Sequence, residues 1–332
     1  MSDKLDTRNA RPGLFLAFKS GFNTVANHIY LIILPVILDL LIWFGPHFSL
    51  EKYLNPFVTQ LKDMPGLETP ELKTAVQGLI PQLMEVIKEF NVAVILRTYP
   101  VGVPSLSALI SPATNPIGTP ITFSLQSTGS VISTLILFAF IGIFFGSYYF
   151  QQVAVKVHQD PKKRSFSDFS KGTAQVFLLP VFMIALFIMF IIPLMLIIPV
   201  LSFISPVIGQ LGLYFSLIII TWLLVPLSFT PHSIFLFKQN VMTSMMTSIS
   251  VVRYSLPGSA FFLLSIFLCS TGMNYLWSVP PEDSWLLLVG ILGHAFISTA
   301  LLASSYYYFL DATRFAQSIM IDHQKNVPAN PL

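Results

Sequence analysis

LIILPVILDLLIWF, residues 31–44, is the stretch that decides the class of this protein. It places a single carboxylate, Asp39, among apolar residues and one proline, which is typical of a membrane span that carries a buried polar group. The rest of the chain agrees, because 54% of its 332 residues are hydrophobic and only 10% are charged. Soluble domains carry about 25% charged residues. We therefore expect an all-α polytopic membrane protein that forms a single membrane domain over residues 1–332.

Six segments are apolar enough to cross the hydrocarbon core, which takes about 20 residues per helix. They are residues 27–46, 131–152, 174–204, 211–237, 258–279 and 285–310. The positive-inside rule favours cytoplasmic termini, because the segments on that side then carry most of the 18 Lys and Arg residues. The predicted location is the bacterial plasma (inner) membrane, and residues 47–130 form an extracytoplasmic insertion of helices and loops.

Three similar stretches precede the first, third and fifth predicted spans. They read GLFLAFKSGFNTVANH (13–28), SFSDFSKGTAQVF (165–177) and NVMTSMMTSISVVRYS (240–255). Apolar residues at helical spacing predict that each is a short amphipathic helix in the headgroup plane, so that the spans form three pairs. The alternative is that such stretches occur by chance between spans.

The segments LPVILDLLIWF, FSDFSKG and QNVMTSMMTSISVVRYS resemble those of a group of bacterial six-span membrane proteins. This group includes the membrane domain attached to some glycerophosphodiester phosphodiesterases. The long connection at 47–130 departs from the group's layout. No phosphodiesterase domain accompanies these segments in this chain, so the resemblance implies no such activity.

The long connection has two parts of different character. Residues 50–64 and 70–92 are predicted helices, the second with a heptad seam of apolar residues. The seam consists of Leu72, Val76, Leu79, Leu83, Val86 and Phe90. These helices pack on each other or on the spans, lie on the outer leaflet, or dock another membrane subunit. Residues 99–130 are uncharged and rich in Pro, Ser and Thr, which indicates an ordered cap at the membrane surface or a re-entrant segment.

Asp39 and His294 are the candidate functional pair. They lie at similar predicted depths in the first and sixth spans, where their side chains could meet across a helix contact. An ionisable residue inside a membrane indicates a proton or cation relay by default. The alternative is a buried polar tie that fixes helix packing.

Small residues and basic residues supply two further predictions, one about helix packing and one about lipid contacts. Small residues at Gly142, Gly146, Gly290 and Gly293 predict close helix packing. Basic residues at Lys162, Lys163, Arg164 and Lys171 predict contacts with anionic lipid headgroups at the cytoplasmic face of the bilayer. The net charge of +3 is too small to indicate a nucleic-acid partner.

The sequence contains no HExxH, GxSxG or phosphate-cradling glycine motif, and its single cysteine excludes a cysteine-built metal site. We therefore expect no cofactor and no catalytic residues. The favoured function is a non-enzymatic accessory, scaffold or lipid-organising subunit of a membrane complex. A proton- or cation-coupled transporter or channel that uses Asp39 and His294 is the first alternative, and a lipid-acting membrane enzyme is the second.

Overall fold

The computed structural model describes residues 12–61, 70–158 and 165–325, and within them it confirms the all-α polytopic class. The helices are α1 (Leu14–Asn27), α2 (Ile33–Phe44), α3 (Glu51–Gln60), α4 (Pro70–Glu89), α5 (Ser107–Ile110), α6 (Thr128–His158), α7 (Phe166–Ile204), α8 (Pro206–Leu224), α9 (Thr230–Phe237), α10 (Val241–Tyr254), α11 (Leu256–Trp277) and α12 (Leu287–Lys325). Short 3-10 helices cover Ile29–Ile32, Val92–Leu96 and Val225–Leu227. Two short strands, β1 (His47–Ser49) and β2 (Thr122–Ser124), pair in parallel.

Each of the six predicted spans has a counterpart among these helices. Five segments of the described chain are long and apolar enough to cross a membrane: α6, α7, α8 with α9, α11 and α12. The sixth candidate is the bent pair Leu14–Asn27 and Ile29–Phe44, which turns by 93°. The turn occurs at His28, whose backbone leaves the helical region and whose ring Nδ1 lies 3.0 Å from the Thr24 carbonyl oxygen.

The two ends of the helix bundle carry different elements. We call the end that holds α1 and the carboxyl end of α12 the basal end. The end that holds α3, α4 and the two strands is the apical end. The largest buried core lies towards the basal end, where the rings of Phe262 and Tyr308 stack with their centroids 4.1 Å apart.

The three amphipathic stretches do not all become separate helices. The first forms α1 and the third forms α10, as expected. The second is the start of α7, an unbroken helix of 39 residues that begins at a capping box of Ser165 and Asp168. A capped start followed by a continuous apolar run favours propagation of one helix. At about 1.5 Å per residue, α7 is longer than the hydrocarbon core is thick.

α10 buries part of its predicted apolar stripe together with serines. Of the stripe, Val241, Met245 and Val252 are buried, whereas Met242 and Ile249 are 52% and 37% exposed. Ser248, outside the stripe, is also buried. The Ser248 hydroxyl donates to the Pro226 carbonyl at 2.6 Å and accepts from the Phe229 N–H at 3.1 Å. The break between α8 and α9 frees these backbone groups, and a break inside a membrane needs such partners. The serine side of α10 therefore faces the bundle.

The two apical helices α3 and α4 pack against each other through a face that includes Val76 of the predicted seam but not the next three seam residues. Their contact buries Val58, Ile80 and Ile87. The seam residues Leu79, Leu83 and Val86 are instead 60%, 40% and 63% exposed, and the Leu72 side chain lies outside the described part. The helix carries two adjacent apolar stripes with similar spacing, and α3 covers the other one.

Candidate functional site

The connection between α4 and β2 re-enters the bundle instead of capping its surface. A Cβ added to Gly142 would collide with the carbonyl of Leu96, and one added to Gly146 would collide with the backbone of Gly102. Gly142 lies near the middle of α6, so residues 96–102 reach about half the depth of that helix. We call residues 92–111 the re-entrant segment. Of the two arrangements predicted for residues 99–130, the structure shows the re-entrant one for 99–111, whereas Ile117, Ile121 and Phe123 are exposed.

Side-chain hydrogen bonds supply some of the backbone partners that this irregular segment needs inside the bundle. The Asn91 side-chain oxygen accepts from the N–H groups of Phe48 and Ala93, each at 3.0 Å. The Thr98 hydroxyl donates to the Val101 carbonyl at 2.6 Å. The segment is thus held both to β1 and to itself.

Asp39 anchors the re-entrant segment to α2. Its side chain is fully buried, and its Oδ1 accepts from the Ser105 hydroxyl at 2.6 Å and from the Ser107 N–H at 2.7 Å. The Ser105 oxygen in turn accepts from the Ala108 N–H at 3.0 Å. These bonds replace water for Oδ1, the Ser105 hydroxyl and the Ser107 N–H. The other carboxylate oxygen, Oδ2, is buried without a hydrogen-bond partner among the described residues. Of the two predicted roles, the geometry favours the polar tie.

The predicted contact between Asp39 and His294 is not formed. The His294 Nδ1 lies 2.9 Å from the Asn274 side-chain oxygen, and its Nε2 lies 3.3 Å from the Ser298 hydroxyl. The reason is visible at Leu106, between the two serines that bind Asp39. Leu106 packs against core residues of α2 and α12 and so occupies the space between these helices.

A cleft of about 280 Å³ lies between the re-entrant segment, α9, α11 and α12. Its polar lining consists of Arg97, Ser228, His232, Ser270, His294, Ser298 and Ser305. Leu263 and Ile266 of α11 supply part of the apolar wall. The surface of the cleft is therefore mostly apolar, with a set of polar side chains placed along it.

Arg97 is the residue of this cleft that the sequence analysis missed, because it was counted with the extracytoplasmic insertion. Its neighbours Leu96 and Thr98 contact Gly142, which places Arg97 at the depth of the middle of α6. Its guanidinium donates to the Ser105 carbonyl at a long 3.4 Å and lies 5.3 Å from the centre of the Tyr99 ring. Within the described residues, no carboxylate lies within ion-pair distance of Arg97.

His232, which looked isolated in the sequence, pairs with Ser305. Its Nε2 lies 2.6 Å from the Ser305 oxygen, the distance expected of a base and a nucleophile. However, the Ser305 hydroxyl donates to the Leu302 carbonyl at 2.7 Å. The buried His232 Nδ1 has no hydrogen-bond partner in the part of the chain that the structure describes. We interpret the pair as a packing contact.

The predicted small residues lie at close contacts, although not all with helices. Gly142 and Gly146 receive the re-entrant segment. Gly290 and Gly293 lie against the carbonyl and the ring of Trp277, so α11 and α12 approach closely there.

The predicted lipid contacts divide into two groups. Lys162, Lys163 and Arg164 lie outside the described residues. Lys171 lines a second cleft at the basal end.

Within the described ranges, no group of three or more His, Cys, Asp or Glu side chains could hold a metal ion. Protein-family models, curated proteins and solved structures were compared with this chain, and none matches it.

Proposed function

We propose that this protein organises lipid in the bacterial inner membrane, without enzyme activity, by holding an anionic amphiphile in the cleft at Arg97. The observation that carries the proposal is an arginine at mid-depth of the bundle with no carboxylate partner among the described residues. A charged residue at that depth costs about 2.5–3.5 kcal/mol on insertion scales. An anionic ligand would offset this cost.

The lining of the cleft agrees with a ligand of this chemistry. A guanidinium binds carboxylate or phosphate through two parallel hydrogen bonds, and the hydroxyls of Ser270 and Ser298 are further donors. The apolar wall at Leu263 and Ile266 suits an acyl chain. A volume of about 280 Å³ accepts a headgroup and a few methylenes, so the rest of the ligand would stay in the bilayer.

We also propose cytoplasmic termini, which puts the basal end in the cytoplasm. Basic residues are concentrated at this end, among them Lys19, Lys171, Lys238, Arg253 and Arg314. This is the distribution that the positive-inside rule associates with the cytoplasmic side.

The exposed stripe of α4 supports the further proposal that the protein belongs to a membrane complex. Leu79, Leu83 and Val86 form a row of exposed apolar side chains on the extracytoplasmic helices. Such a row suits contact with another membrane subunit. The resemblance to the bacterial six-span group remains a prediction.

Transport is the second candidate function. His294, Ser298 and Ser305 are spaced by 4 and 7 residues, so they line one face of α12 over about 16 Å. A polar line of this kind favours passage of a solute. Because Asp39 is used as a tie and Arg97 is positive, we propose an anion rather than a cation as the transported species.

The test uses the full-length protein, purified in mild detergent and examined by native mass spectrometry for bound anionic lipid. Arg97→Gln should lower the affinity for that lipid at least about tenfold, because it removes a charge-assisted contact. Lys52→Gln, on the exposed face of α3, is the matched control and should bind lipid like the parent. Equal lipid binding by the parent and Arg97→Gln would refute the proposal.

Proteoliposome flux separates the two candidates. Uptake of a labelled anion that is lost in Arg97→Gln would favour transport. Bound anionic lipid in a protein that takes up no labelled anion would favour lipid organisation.

A further inference from the structure

A second polar cleft lies at the basal end, between α6, the start of α7 and the turn from α9 to α10. Its volume is about 320 Å³. The side chains that matter for its chemistry are Asp168, Lys171, Gln175, Lys238, Gln239 and Asn240. This basal cleft shares no lining residue with the cleft at Arg97.

The amide side chains of the basal cleft present donors, because their oxygens are already occupied. The Gln175 oxygen accepts from the Val241 N–H at 2.8 Å, and the Asn240 oxygen accepts from the Thr243 N–H at 2.8 Å. A backbone N–H can only donate, so these contacts fix the orientation of both amides. The NH₂ groups of Gln175 and Asn240 make no hydrogen bond within the described residues and remain available to a ligand.

The charges of the basal cleft leave one cation in excess. Lys238 forms an ion pair with Asp168 at 2.8 Å. Within the described residues, Lys171 has no carboxylate within ion-pair distance. Two ammonium groups against one carboxylate give the cleft a net positive charge, in addition to its amide donors.

The turn from α9 to α10 brings three of the lining residues together. Lys238 ends α9 with a φ of 55°, in the left-handed region that commonly terminates helices and that glycine adopts more readily than lysine. Here the left-handed residue turns the chain so that Lys238, Gln239 and Asn240 all line the cleft.

We propose that the basal cleft binds a phosphate ester or phosphate group through Lys171, Lys238 and the amides of Gln175 and Asn240. Ammonium and amide donors around one space are the groups that hold a phosphate oxygen cluster. The group comes either from the headgroup of an anionic phospholipid or from free phosphate. The site is independent of the function proposed for the cleft at Arg97.

The experiment titrates the full-length protein in nonionic detergent with inorganic phosphate, with phosphatidylglycerol and with phosphatidylcholine, and measures binding by native mass spectrometry. Binding of phosphatidylglycerol alone assigns a lipid headgroup, and binding of inorganic phosphate assigns a soluble source. Each of these outcomes supports the site when the binding persists in Arg97→Gln, because the cleft at Arg97 is itself proposed to hold an anionic amphiphile. Binding that is lost in Arg97→Gln overturns it. Binding of neither phosphatidylglycerol nor inorganic phosphate overturns it.

Three variants test the residues, and of these only Lys238→Gly also removes a contact within the protein, the ion pair with Asp168. Gln175→Glu and Asn240→Asp keep the oxygens that accept from Val241 and Thr243 but replace an NH₂ donor by a negative oxygen. Lys238→Gly removes the charge at a position where glycine is favoured, so the variant should fold. Each should lower affinity about tenfold or more, in line with the loss of a charge-assisted hydrogen bond.

Lys19→Met is the matched control, because Lys19 is exposed on α1 at the same end of the bundle and lies outside the cleft. It should bind like the parent. A folded Asn240→Asp or Lys238→Gly protein with parental affinity would overturn the proposal. Arg97→Gln should leave binding at the basal cleft unchanged, which separates this site from the one at Arg97.

Discussion

The backbone N–H of Ser107 donates a 2.7 Å hydrogen bond to Oδ1 of Asp39, and this bond joins the first span to the re-entrant segment. The same oxygen accepts from the Ser105 hydroxyl at 2.6 Å. A carboxylate that is expensive to bury is thereby used to hold irregular backbone inside the bundle. The position of Arg97, and with it the cleft, depends on this attachment.

Replacement of Asp39 should show that the acceptor oxygen Oδ1, rather than the negative charge, stabilises the fold. Asp39→Ala leaves the Ser107 N–H and the Ser105 hydroxyl buried without an acceptor, which should lower the free energy of unfolding by about 3 kcal/mol. Asp39→Asn keeps one acceptor oxygen and should lose less. Thermal unfolding in detergent measures both, with Ser133→Ala as a control that removes only a hydroxyl bonded within its own helix. If the free energy of unfolding falls equally in Asp39→Ala and Asp39→Asn, the acceptor oxygen does not have this role.

Enlarging Gly146 should displace the re-entrant segment. A Cβ at this position would meet the backbone of Gly102, so we expect Gly146→Ala to cost about 1–3 kcal/mol despite its better helix propensity. Gly129→Ala is the matched control, since a Cβ added at Gly129 would have no such heavy-atom neighbour within 4 Å. Unfolding midpoints that fall by the same amount in both variants would show that Gly146 has no special contact.

The apical end should lose stability as the pH falls. Burial lowers the pKa of His47 from its usual 6.5, although an interaction with the Phe90 carbonyl partly opposes the shift. The unfolded chain therefore binds a proton more readily than the folded one, so stability decreases as the pH falls through about 6.5. The difference in unfolding midpoint between pH 8 and pH 5 should be smaller in His47→Gln than in the parent. An identical pH dependence would show that His47 does not contribute.

The contact of Ser305 with His232 should be structural. Ser305→Ala removes the hydrogen bonds to His232 and to the Leu302 carbonyl and should lower the free energy of unfolding by about 1–2 kcal/mol. We expect it to leave any conversion of labelled lipid by the purified protein unchanged. Lipid turnover by the parent that disappears in a folded Ser305→Ala variant would instead favour the membrane-enzyme alternative.

Hydropathy predicted the spans because a run of about 20 apolar residues forms a helix long enough to cross the hydrocarbon core. Periodicity located the apical helices but could not select between the adjacent stripes through Leu79 and Ile80, because that choice depends on where α3 lies. Depth alone suggested that Asp39 faces His294. The rotation of α2 and of α12 about their axes, and the insertion of the re-entrant segment between them, depend on residues far apart in the chain. The spacing of residues along one helix does not predict them.

The re-entrant segment was harder to predict because its composition suits two locations. YPVGVPS, residues 99–105, is uncharged and proline-containing, as expected of a surface cap or of a loop buried in protein. Arg97 was assigned to the outside because the positive-inside rule counts charges in connections and assumes that these connections leave the membrane. The nearby glycines of α6 were a usable signal, since they make room for a backbone as well as for a helix.

The most direct measurement is the reactivity of single cysteines placed in the connection between α4 and β2. In a background where Cys269 is replaced by Ser, the purified Val101→Cys protein in mild detergent should resist a maleimide reagent, because Val101 is only 1% exposed inside the bundle. Ile117→Cys, at a position that is 78% exposed, is the matched control and should react. Labelling of a folded Val101→Cys protein as fast as Ile117→Cys would place the segment at the surface and contradict the cleft.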